Sequence, residues 1–116
     1  MGFAQRRGRA GEALAAAYLE MLGCRLVARN ARLAGVEVDL VVDDGASRVL
    51  VEVRLRSRPD FGGAAATVDA RKRQRLVRAA MALDPDGDRP LRIDVIAVDV
   101  HPDGASLTHY RNAVTG

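Results

Sequence analysis

Apolar residues recur at helical spacing in two segments of the chain, and each segment is therefore predicted to form a helix. The first helix runs from Gly8 to Leu22 and is followed by Gly23, a natural C-terminal cap. The second has its N-cap at Thr67, carries Asp69 in its first turn and runs to about Leu83. The apolar positions that define the two patterns are Leu14, Tyr18 and Leu22 in the first helix and Val68, Leu76, Ala79, Ala80 and Leu83 in the second.

Apolar runs bounded by turn residues predict five strands in the rest of the chain. They cover residues 24–33, 37–42, 48–56, 91–100 and 106–110. The second and third strands form an antiparallel hairpin around the turn-rich segment 43–47, whereas residues 57–66 form a loop. The resulting order, α, β, β, β, α, β, β, predicts one α/β domain over residues 1–116, with a mixed central sheet flanked by helices.

The hairpin brings acidic residues together if its loop has an even number of residues. An even loop places Asp39 opposite Leu50 or Glu52, whereas an odd loop places it opposite a valine. Only the even loop buries one consistent apolar face, made of Val38, Leu40 and Val42 in the first strand and Val49, Val51, Val53 and Leu55 in the second. The opposite face then carries Glu37, Asp39, Glu52, Arg54 and Arg56.

Composition and cysteine content narrow the class of protein. The chain has 116 residues, of which 48% are hydrophobic, and this suits one domain with one core. Its single cysteine, Cys24, excludes an intrachain disulfide and favours a reducing compartment, so a cytoplasmic location is expected. No signal peptide is recognisable, and charges interrupt every apolar run before the ~20 residues that a membrane span needs. We therefore expect no membrane insertion.

Almost all of the basic residues are arginine. The net charge is +3 and the pI is 9.7, and Lys72 is the only lysine among 18 basic residues. In the second helix Arg71, Arg75 and Arg78 follow i, i+4, i+7 and make a basic ridge beside Lys72. Guanidinium groups suit phosphate partners, so the ridge predicts contacts with the backbone of a nucleic acid, DNA in the first instance. A solvated helix face accounts for the same run, and this alternative stays open.

Opposed carboxylates beside an arginine are the main candidate for chemistry. Two anions held side by side repel each other unless a cation neutralises them, which a divalent metal does. Mg²⁺ (or Mn²⁺) bound to Asp39 and Glu52 would activate a water for attack on a phosphodiester, with the neighbouring Arg54 stabilising negative charge. The alternative is that these residues form the solvated face of a half-exposed sheet and are joined by ordinary ion pairs.

Short motifs lie in a fixed order across nearly the whole chain. They are Gly8, Gly11-Glu12, Ala15 and Tyr18-Leu19; Asn30 and Glu37-Val38-Asp39-Leu40; Val51-Glu52-Val53-Arg54 and Arg56; Phe61-Gly62; Lys72, Arg75-Leu76 and Ala80; Arg92-Ile93-Asp94-Val95-Ile96; and His109 with Asn112-Ala113. Together they resemble the YraN-like family of uncharacterised bacterial proteins, which is similar to archaeal Holliday junction resolvases and the wider PD-(D/E)XK nuclease superfamily.

The resemblance implies a restriction-endonuclease-like core (αβββαβ) and a metal-dependent DNA endonuclease. Asp39 matches the first acid of the nuclease motif and Glu52 the second, and Glu12 matches a third carboxylate that reaches the metal. The signature lysine position falls on Arg54. A branched-DNA substrate is implied by the resemblance alone.

Further interpretations remain open at this point. Arginine is always charged and donates in a fixed fork, so Arg54 also suits a non-catalytic nucleic-acid-binding or partner-docking module on a degenerate nuclease fold. A homodimer that acts mainly through its apolar surface is a third interpretation. For Glu12, the alternative is an acid favoured simply by the dipole at a helix N-terminus. His109 is expected to cap or pack, and Cys24 to lie in the core.

Overall fold

The computed structural model describes residues 2–56 and 68–114, which form two helices and five strands in the predicted order. The predicted loop at residues 57–66 and the predicted N-cap Thr67 lie outside the described residues. The elements are α1 (Phe3–Met21), β1 (Arg25–Leu33), β2 (Val36–Asp44), β3 (Ser47–Arg56), α2 (Ala70–Leu83), β4 (Leu91–His101) and β5 (Gly104–Tyr110).

The helix ends are fixed by local hydrogen bonds. At the end of α1, the Gly23 N–H donates to the Glu20 carbonyl at 2.9 Å and the Cys24 N–H donates to the Leu19 carbonyl at 3.0 Å. Gly23 has φ = 95°, so glycine ends this helix in the left-handed conformation, as predicted. At the start of α2 the N-cap is Asp69, whose carboxylate accepts the Lys72 N–H at 2.8 Å.

The five strands form one mixed sheet in the order β1-β2-β3-β4-β5. Neighbouring strands are antiparallel except β3 and β4, which are parallel and have α2 between them in the chain. The hairpin turn is the two-residue segment 45–46, shorter than predicted, and Asp43 and Asp44 belong to β2. The strand extends this far because Asp43 pairs with Arg48 and accepts hydrogen bonds from its guanidinium at 2.9 and 3.1 Å.

Both faces of the sheet are buried, each beneath one helix. The core beneath α1 contains Ala15, Ala16, Leu19, Cys24, Leu40, Val42, Val49, Val51, Ile96 and Val98. The core beneath α2 contains Val36, Val38, Val41, Leu50, Val68, Leu76, Ala79, Ala80, Ile93, Val95, Ala97 and Val114. The prediction that the hairpin buries a single apolar face is therefore wrong, because a sheet with a helix on each side needs apolar residues at consecutive strand positions.

Small residues allow α1 to lie close to the sheet. Gly11 is buried, and a Cβ atom at this position would stand 3.3 Å from Leu55 Cδ1. Ala15 and Leu19 continue the same buried stripe. Leu14 and Leu22, which helped to predict the helix, are 43% and 51% exposed. The core-facing side of α1 is thus set by close approach of its backbone rather than by its largest apolar side chains.

The regular alternation of side chains along β2 is broken at Asp39. Val38 packs beneath α2, but Leu40 packs beneath α1, although regular alternation would put both on one face. Opposite Asp39 in the pairing register lies Asn30 of β1, which has φ = 50°, a conformation that asparagine tolerates. The predicted common face of Val38 and Leu40 is therefore wrong. Asp39 is left at the boundary between the two cores.

In the described part of the chain, neither helix combines the length and the apolar character needed to cross a lipid bilayer.

Candidate active site

The candidate site lies where β2 and β3 stop pairing. Their register runs from Asp44 opposite Ser47 to Leu40 opposite Val51, so its extension places Asp39 opposite Glu52. Instead of a backbone pair, the Asp39 carboxylate accepts the Val53 N–H at 2.7 Å. The even hairpin loop is therefore confirmed, and its register, extended by one pair, puts Asp39 opposite Glu52. The side chain of Asp39 satisfies a strand donor that the neighbouring strand no longer reaches.

Glu52 is a buried carboxylate with two cationic neighbours. It follows Leu50 by two residues, on the face beneath α2, and is only 6% exposed. Lys72 Nζ lies 2.7 Å from Glu52 Oε1, and Arg54 Nη1 lies 3.9 Å from the same oxygen. A carboxylate this buried requires a charged or hydrogen-bonded partner. The alternative of a solvated sheet face is wrong for Glu52.

Asp39 lies in an environment with an excess of negative charge. Burial raises the pKa of the Asp39 carboxyl to about 7, and the negative charges of Glu52 and Glu12 act in the same direction. The hydrogen bond from the Val53 N–H and the positive charge of Lys72 oppose this rise in pKa without cancelling it. Bringing further positive charge to the site would therefore be favourable.

Glu12 approaches the site from α1. Because the helix begins at Phe3, Glu12 lies in its third turn, beyond the first turn in which the helix dipole favours an acid. The N-terminal explanation of Glu12 is therefore wrong. The residue is half-buried and lines a cleft of about 490 Å³ together with Gln5, Gly8, Arg9, Asn30 and Glu37.

The grouping of possible metal ligands is limited to a pair. Within residues 2–56 and 68–114, no three His, Cys, Asp or Glu side chains form a group able to hold a metal ion by themselves. Asp39 and Glu52 are the two carboxylates at the point where β2 and β3 separate, and Glu12 acts on Asp39 through its charge. The direct role of Glu12 as a metal ligand stays a prediction.

The predicted basic ridge of α2 divides into two parts. Arg71, Arg75 and Arg78 are exposed, as a surface for phosphate contacts requires. Lys72 instead extends toward the sheet and contacts Glu52. This contact was not predicted, although the sequence carries a signal for it: Lys72 lies four residues after Val68 and four before Leu76, both of which are buried.

His109 belongs to a structural network on the side of the sheet beneath α1. Asp94 is fully buried and accepts hydrogen bonds from Arg92 Nε and from the Asn112 N–H, both at 2.9 Å. With its proton on Nε2, His109 donates to Asp94 at 2.8 Å and accepts from the Tyr18 hydroxyl at 2.9 Å. The expectation that His109 packs is confirmed. Although burial raises it, the pKa of Asp94 stays below its usual value because these hydrogen bonds outweigh the burial.

Comparison with known proteins places the chain in a family. It matches the model of the uncharacterised protein family UPF0102 over residues 11–98, a range that contains Glu12, Asp39, Glu52 and Lys72. A UPF0102 protein from Halorhodospira halophila is 50% identical over 97 residues, which cover 84% of this chain and 80% of the relative.

Two further relatives extend the same result. A UPF0102 protein from Xanthomonas campestris is 50% identical over 102 residues, 84% of each chain. One from Janthinobacterium sp. is 41% identical over 116 residues, covering 95% of this chain and 88% of the relative. The chain therefore belongs to the UPF0102 family, and its resemblance to the YraN-like proteins is confirmed.

Proposed function

We propose that this member of the UPF0102 family is a divalent-cation-dependent endonuclease that hydrolyses phosphodiester bonds in DNA. The observation that carries the proposal is the meeting of Asp39 and Glu52 where β2 and β3 separate, with Lys72 and Arg54 beside Glu52. Two acids and two cations at one strand opening suit a substrate that is itself an anion and whose negative charge increases during reaction.

The topology supports the finer assignment of a restriction-endonuclease-like core. That core has the order αβββαβ, and α1 to β4 follow this order, with β3 and β4 parallel. In such an arrangement the hairpin supplies the acidic residues and each face of the sheet carries a helix. Fold alone does not establish a reaction, so the proposal depends on the residues at the strand separation.

The donor set fits Mg²⁺ or Mn²⁺. Mg²⁺ is commonly held by one or two carboxylates and completes its coordination with waters and substrate phosphates, so a pair of carboxylates is sufficient. Asp39 and Glu52 would hold the cation, with Glu12 adding negative charge from α1. When bound, the cation supplies positive charge that stabilises the attacked phosphate and favours a nucleophilic water.

The reaction itself consumes one water for each bond cut. The water oxygen forms a bond to phosphorus while the bond from phosphorus to the leaving oxygen breaks. The proton lost by the water passes to solvent, and the leaving oxygen takes up a proton to become a hydroxyl group. Arg54 would bind a non-bridging phosphate oxygen, since a guanidinium donates to phosphate in a planar fork.

The exposed arginines of α2 would hold the DNA backbone. Arg71, Arg75 and Arg78 occupy one exposed side of the helix whose first turn supplies Lys72. Contacts to phosphate carry little sequence information, so binding is expected to depend on salt rather than on sequence. A branched substrate is suggested by the likeness to junction resolvases, because a junction presents several phosphate backbones to one basic surface.

A cleavage assay tests this function. A labelled four-way junction and a linear duplex are incubated with the protein at low salt, with Mg²⁺, Mn²⁺ or EDTA, and with the Asp39→Asn and Glu52→Gln variants alongside. We expect cutting with either metal and none in EDTA or in the two variants. The control is Glu20→Gln, which removes an exposed acid from the far end of α1 and should cut normally. Metal-independent cutting, or equal cutting by Asp39→Asn, would overturn the proposal.

A non-catalytic DNA-binding module is favoured by one observation. Lys72 already neutralises Glu52 at 2.7 Å, so this carboxylate is compensated without a metal. Such a module would bind DNA equally in EDTA and in Mg²⁺ and would cut neither substrate. Asp39→Asn would then leave DNA affinity unchanged or raise it, since it removes negative charge near the phosphates.

A further inference from the structure

Lys72 differs from its basic neighbours in α2 by its position on the helix. It lies four residues before Leu76, which is 1% exposed, and four after Val68, a residue 4% exposed that immediately precedes the N-cap Asp69. The other basic residues of the helix, which are Arg71, Arg73, Arg75 and Arg78, are all exposed. The Lys72 side chain crosses from the helix to the sheet and remains 39% exposed. It therefore reaches both a buried carboxylate and the solvent from which a substrate arrives.

The ammonium of Lys72 makes the closer of the two cationic contacts to Glu52. Its distance to Glu52 Oε1 is 2.7 Å, that of a close ion pair, whereas Arg54 Nη1 lies 3.9 Å away. An ammonium has three N–H donors, and its ion pair with Glu52 does not use all of them. The remaining donors can serve a water and a phosphate oxygen at the same time.

Composition gives a second, independent argument. Lys72 is the only lysine in a chain whose other 17 basic residues are arginine. A position that needed only positive charge would be expected to carry arginine here as well. Lysine offers a compact ammonium with rotatable donors in place of a fixed planar fork, and this difference matters where a group must fit between a carboxylate and a reacting water.

We propose that Lys72 is the catalytic lysine of this site, delivered by α2, and that its ammonium contacts the attacking water and the scissile phosphate while Glu52 holds it in place. The proposal rests on the endonuclease function above and assigns a different role from that of the phosphate-binding arginines of the same helix. Lys72 positions the water whose oxygen bonds to phosphorus, and the proton that the water loses passes to solvent.

The test compares matched variants of neighbouring residues. Lys72→Met removes the charge and keeps the aliphatic stem, Lys72→Arg keeps the charge but changes its shape, and Arg73→Met removes an exposed charge one residue away. Measured quantities are kcat and KM for junction cleavage, and junction affinity in EDTA. We expect Lys72→Met to lower kcat by about 100-fold, the effect of removing one preorganised transition-state contact. We expect Lys72→Arg also to lose most of its kcat, and Arg73→Met to keep it.

A readout independent of activity is Mn²⁺ affinity, measured by calorimetry on the same variants. The Lys72 ammonium competes with a cation for Glu52, so Lys72→Met should bind Mn²⁺ several-fold more tightly than the wild type, whereas Arg73→Met should not.

The outcomes separate this proposal from the proposed function. Unchanged kcat in Lys72→Met, or equal losses in Lys72→Met and Arg73→Met, would overturn the role of Lys72 while leaving the nuclease intact. Full activity in Lys72→Arg would overturn the requirement for an ammonium. If the wild type cuts no DNA, the proposed function fails, and unchanged Mn²⁺ affinity in Lys72→Met would then overturn the coupling of Lys72 to the cation site as well.

Discussion

The Asp39 carboxylate accepts the backbone N–H of Val53 at 2.7 Å, at the point where β2 ceases to pair with β3. This single contact makes the carboxylate part of the sheet while leaving it next to a second acid, Glu52. Asp39 therefore has two competing roles. It completes the hydrogen bonding of a strand end, and it holds a negative charge where other negative charges lie nearby.

Removing the charge of Asp39 is expected to stabilise the fold at high pH. The folded-state pKa of about 7 is above the ordinary value of 3.8, so the ionised carboxyl destabilises the folded state as pH rises from about 4 through 7. Asp39→Asn retains an acceptor for the Val53 N–H. Because the side chain is partly exposed, we expect a gain of about 2 kcal/mol in the free energy of unfolding at pH 8 and almost none at pH 4. Urea unfolding in EDTA at both pH values measures this difference between the variant and the wild type. A variant less stable than the wild type at pH 8 would show that the ionised Asp39 does not destabilise the fold.

Glu12→Gln is expected to lower the pKa of Asp39 toward its ordinary value, because Glu12 contributes to the rise through its charge. Carboxyl titration by NMR, with a ¹³C label in aspartate, measures this shift. The matched control is Glu20→Gln, eight positions further along the same helix and exposed. An Asp39 titration unchanged by Glu12→Gln would show that the two carboxyls are not close in solution.

Asp43 anchors the hairpin end that lies opposite the candidate site. Its carboxylate accepts hydrogen bonds from Arg25 at 2.6 Å, Arg48 at 2.9 Å and Arg89 at 3.1 Å, and these contacts hold the pKa of Asp43 well below its usual range. A lowered folded-state pKa means that the stabilisation is present above about pH 4 and is lost as pH falls further. Asp43→Asn should therefore lower the free energy of unfolding, measured by urea unfolding, by about 2 kcal/mol at pH 7 and by progressively less below pH 4.

The control for the anchor is Asp103→Asn, which alters an exposed acid in the turn between β4 and β5. It should change the free energy of unfolding by less than about 0.5 kcal/mol both at pH 7 and below pH 4. A cost for Asp43→Asn that grows on acidification would contradict the assigned role of Asp43.

His109 is expected to matter for stability and not for cleavage. His109→Phe keeps a ring of similar size but removes the donor to Asp94 and the acceptor for Tyr18, so we expect a loss of about 2 kcal/mol in the free energy of unfolding. At a temperature where the variant is fully folded, kcat for DNA cleavage should equal that of the wild type. A large loss of kcat in the folded variant would place His109 in the reaction instead.

The hairpin and the pairing of its acids were predictable because strand geometry has a period of two. The even loop predicted from the valine pattern placed Asp39 opposite Leu50 or Glu52, and the observed register extends to Glu52, although the single apolar face behind that prediction is wrong. The switch of face at Asp39 was not predictable in the same way, because regular alternation would put Val38 and Leu40 on one face. An asparagine in the strand pattern, Asn30, which has a left-handed backbone, was the available signal of an irregularity nearby.

Helix faces were harder to predict than helix positions. The cap at Gly23 ended α1 as predicted, but Gly11 and Ala15 face the core while Leu14 does not, because close packing favours small residues where the backbone meets the sheet. In α2 the buried positions Leu76, Ala79 and Ala80 were predicted correctly, but Val68 lies before the helix, whose N-cap is Asp69, and Lys72 was assigned to the basic ridge. A long polar side chain can occupy a core-facing position when its charged end finds a buried partner, and sequence periodicity alone does not show that partner.

Calorimetry in the absence of DNA, which measures Mn²⁺ binding to the wild-type chain and to Asp39→Asn, is the decisive measurement. It asks whether the separation of β2 and β3 builds a cation site from Asp39 and Glu52. We predict one Mn²⁺ bound per wild-type chain, with binding lost in Asp39→Asn and in Glu52→Gln but kept in Glu20→Gln. Equal Mn²⁺ binding by the wild type and Asp39→Asn, or no binding by either, would show that Asp39 and Glu52 do not form a cation site.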